Sequence, residues 1–444
     1  MPLTNSSPLL SQEQALMVDC VRSCFGLTVP GHEYAPQWDL FRARAEQYGM
    51  TPVAHAGLAA LDTSAPMEVR RNLSIASALT ALRIEHQIVP AFHTAIAALQ
   101  GAGLSPVVLK GMALAHQVYP RPALRTFSDI DILLPHQRIE QANRALTQAG
   151  FWIGESRSEL PDHHHGPVVF SEAGSVAVEL HHGIVPGGSP FAIDVDVMLA
   201  RSQMESIAGV SVLVPSHVDM LLHVCTHLSY GHSFDFYPFR SLMDIFAMVS
   251  TWANELDWND FISTAVRTRV SGAVYWPLRL SRVWFGAQVP DEVLARLAPA
   301  EPLKRMVAAV ATPSRILDGK RDENLGNSVL EQLLLQLANR TGCSFGVQVR
   351  SVFSSLFPST DSITHLPATV TNSKLRYMAA LTSVGRFSRG ASALVRLLAQ
   401  ARTQRWDLPA LGPDEPGIDP LTRIPASAKR ASHATDGSRG RLRS

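Results

Sequence analysis

The sequence has no run of about 18 apolar residues, so no membrane-spanning helix is expected. The first twenty residues, MPLTNSSPLLSQEQALMVDC, lack a basic stretch followed by an unbroken apolar one, so no signal peptide is expected either. Cysteine is scarce. Cys20, Cys24, Cys225 and Cys343 are too few for a disulfide scaffold, and Cys20 and Cys24 have no second close pair to complete a structural zinc site. Reduced thiols and a cytoplasmic location follow as expectations. Charge of one sign is also missing: 39 Lys and Arg balance 38 Asp and Glu, for a net +1. No overall positive field exists to hold a nucleic-acid backbone, and no nucleic-acid partner is expected. Apolar material is plentiful. Hydrophobic residues make up 46% against 17% charged, over 444 residues, which excludes wholesale disorder and suggests two or three domains.

Residues 10 to 100 read as successive helices. Ser11 and Gln14 form a capping-box pattern before QEQALMVDCVRSCFGL. WDLFRARAEQYG and VRRNLSIASALTALRIEHQIVPAFHTAIAALQGAG carry apolar residues at three- and four-residue spacing. The texture then changes. LSPVVLKG (104 to 111) is a short β-branched run, MALAHQVYP a brief helix starting near Met112, and LRTFSDIDILL (124 to 134) a strand with acids set into it. HQRIEQANRALTQAG (136 to 150) is an amphipathic helix, and HHGPVVFSEAGSVAVELHHGI (164 to 184) a hairpin around a Glu-Ala-Gly-Ser turn. This succession describes a small α/β domain.

From Pro215 to about residue 355 the pattern is helical again, clearest in SHVDMLLHVCTHLSYG, YPFRSLMDIFAMVSTWA, DWNDFISTAVRTR and NSVLEQLLLQLANR. Residues 374 to 406 form a further helical stretch with seven cations and no acid. It reads as a solvated helix face, with weak contact to an acidic surface as the alternative. The expected division is a helical region at 1–84, an α/β core at 85–212, a helical domain at 213–345, a basic helical segment at 346–406 and a disordered tail at 407–444.

Chemistry concentrates in VVLKGMALAHQVYPRPALRTFSDIDILLP (107 to 135). Asp129 and Asp131 are two apart in a strand, so their carboxylates share a face while Ile130 and Ile132 take the other. Two like charges held side by side repel unless a cation sits between them, and a pair of carboxylates suits Mg²⁺. Glu179 is another acid in an apolar strand. If its strand lies beside that of Asp129 and Asp131, three carboxylates converge and can hold two metal ions roughly 3.5–4 Å apart. Upstream, Lys110-Gly111 sits where strand gives way to helix. Gly111 admits a close ligand, helix N–H groups can face phosphate oxygens, and Lys110 and Arg125 supply cations.

These residues, in this order, resemble the DNA polymerase beta-like nucleotidyltransferase superfamily. More narrowly, L-K-G-x-x-L with Tyr119, Arg125, D-I-D-I-L and V-E-L-H resembles a poorly characterised bacterial nucleotidyltransferase family, over roughly residues 85 to 250. LFPS (356 to 359) continues the likeness weakly. The resemblance implies an α+β fold in which a small mixed β-sheet nucleotidyltransferase core is embedded between helical regions. It implies that Asp129, Asp131 and Glu179 are catalytic and hold two Mg²⁺ ions, with Glu179 taking the proton of the attacking hydroxyl. Lys110, Gly111 and Arg125 are implied to bind the phosphates of an NTP such as ATP. The NMP group would pass to a hydroxyl of an unidentified acceptor (a small molecule, a sugar or a protein) with release of pyrophosphate. Many superfamily members carry Gly-Ser or Gly-Gly where this chain has Lys110-Gly111, so the phosphate-contacting serine is absent.

Other readings stand beside this one. The same fold can serve as a binding scaffold without catalysis. His163, His164, His165, His181 and His182 on the two arms of the hairpin suggest a histidine-rich metal hydrolase instead. His181 shares the strand face of Glu179 and is read as a supporting or surface residue rather than a ligand. His223 and His227, one helical turn apart, are read as core. Asp244 and Arg240, four apart, are read as a helical pair. The second Asp-x-Asp, at 194 to 196, is read as a turn cap.

Overall fold

A computed structural model describes residues 10–318, apart from 30–33, 62, 155–163, 173, 187–188, 235–236 and scattered positions beyond 301, together with Cys343. His163, the expected helix at 327–340, LFPS at 356–359, the basic segment at 346–406 and the tail at 407–444 lie outside the described residues. The N-terminal region is helical, as the apolar spacing requires: α1 (Gln12–Cys24), α2 (Trp38–Gln47), α3 (Thr51–Ala60), α4 (Met67–Arg83) and α5 (Val89–Gly101). The capping box at α1 forms in both directions between Ser11 and Gln14. The stretch expected as one long helix is α4 and α5 joined by a π-helical turn, Ile84–Ile88. Pro90 lacks an N–H, and Val89 reaches back five residues to the Ile84 carbonyl.

Beyond Gly101 the chain builds a mixed sheet of seven strands among the described residues, in the order β3-β4-β5-β2-β1-β7-β6. β1 (Val107–Val108) leads through α6 (Lys110–Gln117) to β2 (Asp129–Leu133). Next come α7 (Ile139–Gln148), β3 (Trp152–Ile153), β4 (His165–Phe170) and β5 (Ala177–His181). α8 (Val195–Ala200), β6 (Gln203–Ile207) and β7 (Val210–Val214) complete the sheet region. β2 runs parallel to β5 and antiparallel to β1, so the sheet is mixed and the fold α+β.

The strands are shorter than the sequence suggests. β2 begins at Asp129 rather than 124: Pro122–Leu124 form a 3-10 turn, and Arg125 and Thr126 then bond to Asp244 and the Gly49 carbonyl rather than to a neighbouring strand. The expected hairpin at 164 to 184 is β4–β5, with an irregularity between His165 and Val168. The β6–β7 hairpin is a structural addition. It turns through Ala208 and Gly209, both at positive φ, as a two-residue turn demands. Asp194 caps α8, accepting from the Asp196 and Val197 N–H groups, so the second Asp-x-Asp is a cap as expected.

Four further helices follow: α9 (His217–Thr226), α10 (Pro238–Thr251), α11 (Trp258–Arg267) and α12 (Ser271–Phe285), then the short α13 (Asp291–Leu297). Leu16 of α1, Ile130 of β2 and Trp276 of α12 belong to one buried apolar cluster. Among the described residues no helix is long and apolar enough to cross a membrane. All four cysteines are free thiols.

The approach to β2 is fastened by a buried polar anchor. Arg125 donates from Nε and Nη2 to Oδ1 and Oδ2 of Asp244, each at 2.8 Å, and the Tyr119 hydroxyl donates to Oδ1 at 2.5 Å. This two-pronged pairing ties the segment before Asp129 to the middle of α10. The expected pair between Arg240 and Asp244 is corrected. The Arg125 fork takes both Asp244 oxygens, while Arg240 donates to the Thr126 carbonyl at 3.1 Å and lies over the Tyr237 ring. Removing one partner of a buried pair strands the other charge, so Asp244→Ala is expected to cost about 3–5 kcal/mol. Urea unfolding reads this as a lower midpoint at unchanged slope; a loss below about 1 kcal/mol, the scale of an exposed pair, would contradict the anchor.

Candidate functional site

β2 and β5 pair with Asp129 opposite Ala177, Asp131 opposite Glu179 and Leu133 opposite His181. Strand alternation therefore sends Asp129, Asp131, Glu179 and His181 to one face. Ile130, Ile132, Val178 and Leu180 take the other face and are fully buried. The apolar side sets the register of the charged side. A slip of one residue would drive the carboxylates into the core and the isoleucines out.

On the charged face, His181 Nε2 lies 2.9 Å from Asp131 Oδ1 and 3.4 Å from Glu179 Oε2. Both neighbours are acceptors, so Nε2 carries a proton and donates. One ligand atom each from Asp131, Glu179 and His181 come within 4.8 Å of one another. Asp129 stands one pleat earlier on β2, outside this trio, and repels it at short range. Lys110 Nζ approaches Asp131 Oδ1 at 3.2 Å and donates to His227 Nε2 at 3.0 Å. An ammonium cannot accept, so His227 presents a bare nitrogen and is neutral. Burial, with Lys110 close by, holds its pKa well below the ordinary imidazole value.

The charges pull one another apart in titration. Burial pushes Asp131 up, but Lys110 and the His181 hydrogen bond outweigh it and hold the carboxyl well below the usual range. Glu179 is lowered chiefly by its hydrogen bond from His181, against burial. Asp129 goes the other way, raised by burial and by the negative charge of Asp131. Burial lowers His181, but the hydrogen bonds to Asp131 and Glu179 win and raise it. The Lys110 ammonium and the N–H that His181 donates from Nε2 thus both face the Asp131 carboxylate and offset its charge.

The expected phosphate-binding residues are gathered around the start of α6. This helix begins at Lys110 itself rather than near Met112, because Leu109 is still extended and its N–H bonds the Asp131 carbonyl at 2.9 Å. No side chain caps α6. Gly111 leaves clear the space bounded by Arg125 Nη1, the Phe127 Cβ and the Asp129 carbonyl. Arg125, expected as a free cation, has two of its three nitrogens committed to Asp244, and Nη1 alone faces Gly111.

The histidines separate into groups. His181, read from sequence as a supporting residue, makes the shortest contacts of the trio; its spacing of two from Glu179 was the available signal. The His164 ring lies tilted and the His165 ring edge-on against His181, and burial, with the His181 ring close by, brings the His164 pKa down to about 3. His182 packs edge-on against His136. His223 is buried, as expected of core, yet both its ring nitrogens lack partners. Among the described residues, which leave out His163, one of the hairpin histidines, His181, belongs to a three-ligand cluster, and its partners there are the two carboxylates.

The raised pKa of His181 fixes a pH dependence. Its charged form stabilises the metal-free fold fully below the unfolded value, about 6.5, and that contribution is lost as pH rises through the higher folded value. Asp131 stays ionised across this window, its own pKa being held low. His181→Gln is therefore expected to lower the melting temperature more at about pH 5.5 than at about pH 9, with chelator present. An equal loss at both would contradict a charged imidazole between the carboxylates.

A family model for uncharacterised nucleotidyltransferases matches residues 34–286, a span holding the trio, Asp129, Lys110 and the Arg125–Asp244 anchor. No curated protein and no solved structure gives a significant match to the chain. On the extent of that match, the chain belongs to the uncharacterised nucleotidyltransferase family.

Proposed function

We propose that the protein transfers an NMP group from an NTP to a hydroxyl of an acceptor, a small molecule, a sugar or a protein. The observation that carries this reading is the β2–β5 register, with Asp131 directly opposite Glu179 beside the uncapped start of α6. Two carboxylates and an imidazole at this spacing fit a divalent cation, and Asp129 is at hand for a second. When bound, such ions supply positive charge to the transferring phosphoryl group.

The rest falls to the chain's own groups. Lys110, partly exposed at the start of α6, supplies the positive charge that meets the phosphate oxygens, with the buried first turn of the helix and Arg125 behind it. Asp131 is 1% exposed at its side chain and Glu179 is 26% exposed, so an incoming acceptor meets Glu179. Its lowered pKa keeps Glu179 ionised and able to accept a proton. The acceptor oxygen forms a bond to the α-phosphorus, its proton passes to Glu179, and the bond from that phosphorus to the pyrophosphate oxygen breaks, the electron pair leaving with pyrophosphate.

One observation favours the second reading, a scaffold without catalysis: Lys110 and His181 already offset the charge of Asp131. Label transfer separates the two. With α-labelled NTP, Mg²⁺ or Mn²⁺, and aminoglycoside, sugar and protein acceptors, the wild type is expected to label one class of acceptor. The Asp129→Ala/Asp131→Ala double variant is expected to lose about 10²-fold or more of that rate. Transfer unchanged by the double substitution would contradict the assignment; Mg·NTP binding with no transfer to any acceptor would favour the scaffold.

A further inference from the structure

A single nitrogen faces both carboxylates of the trio. His181 Nε2 is within hydrogen-bonding reach of Asp131 Oδ1 and, at 3.4 Å, beside Glu179 Oε2, so the proton it carries sits where the three donor atoms converge. A cation taking the place of that proton would meet two carboxylate oxygens and one imidazole nitrogen. Asp129, the third acid expected there, is outside the trio. This is not the all-oxygen set that Mg²⁺ prefers; imidazole nitrogen suits first-row transition ions, and carboxylates accept them as well. The donors are also well fixed. Asp131 and His181 are almost fully buried on two strands locked in register, so the imidazole cannot easily swing aside to leave an oxygen-only site.

We infer that the site takes a first-row divalent transition ion in preference to Mg²⁺, with Asp131, Glu179 and the Nε2 of His181 as its direct ligands. The inference rests on reading the trio as the metal end of the proposed transferase, and deepens it: Mg²⁺ then enters with the nucleotide, while the resident ion is a nitrogen-tolerant one. His181 becomes a ligand rather than a residue that merely orients Asp131.

Mn²⁺ is the probe, added to the full-length protein after chelator treatment and without nucleotide. Loss of the free-ion electron paramagnetic resonance signal reports binding, and electron spin echo modulation reports whether a nitrogen is coordinated. The expected result is bound Mn²⁺ with ¹⁴N modulation, retained against an approximately 100-fold excess of Mg²⁺. His181→Gln is expected to abolish the modulation and to weaken binding by about 10-fold or more. Should that variant fail to fold, wild-type protein carrying ¹⁵N-histidine answers the same question, because the modulation must change to the ¹⁵N frequency. Mn²⁺ bound without nitrogen modulation, displaced by equimolar Mg²⁺, or not bound at all would overturn the inference. Nitrogen-coordinated Mn²⁺ with no label transfer would leave it standing and count against the transferase reading; transfer supported by an oxygen-ligated ion would do the reverse.

Discussion

The pairing of β2 with β5 is the constraint on which the candidate site depends. In a parallel pair the side chains of opposed residues lie side by side on one face, and here the opposed residues are Asp131 and Glu179. Neither strand brings more than local charge by itself. Together they place two carboxylates and, diagonally, an imidazole within 4.8 Å. The register is enforced from behind by Ile130, Ile132, Val178 and Leu180, all fully buried. Burial of those four side chains, each worth on the order of 1.5–3 kcal/mol, far exceeds the repulsion between screened carboxylates, so the apolar face holds the acids in place.

Such a concentration of negative charge has to be offset, and the fold offsets it with groups from distant parts of the chain. Lys110 comes from the first turn of α6 and is gripped by His227 where α9 ends; His181 comes from β5 itself. Arg125, which on charge alone belongs beside the acids, is held by Asp244, whose carboxylate also accepts from Tyr119, and serves to fasten the approach to β2. The result is asymmetric. Asp131 is deep and strongly ionised, Glu179 is ionised and reaches solvent, and Asp129 is the member that burial and repulsion push toward its neutral form. On the proposed reading that asymmetry gives the deep carboxylate to the cation alone, while the outer one both faces the cation and meets the acceptor.

Part of this was legible in the sequence, for identifiable reasons. Period-two alternation in DIDIL and AVELH says which side chains share a face, and a lone acid in an apolar strand stands out against its neighbours. The mixed core between helices follows from the change of texture at residue 104. What local pattern does not encode is partnership across the chain. Nothing near Arg125 announces Asp244, nor does anything near Lys110 announce His227, because each pair spans more than a hundred residues and is settled by tertiary packing. Arg240 and Asp244 illustrate the same limit: helical spacing favours them as a pair, but the better-shaped fork of Arg125 wins. The π-helical turn at Ile84–Ile88 and the β6–β7 hairpin were missed for a simpler reason, since Pro90 reads as a helix position as well as a breaker and MESIAGVSV alternates only partly.

The most direct test of the central claim is a crystal structure of the Mn²⁺-loaded protein with data collected for anomalous scattering. The account predicts one strong anomalous peak between β2 and β5, within bonding distance of Asp131, Glu179 and His181. A peak at some other place, or Asp131 and Glu179 found on opposite faces of the sheet, would contradict it.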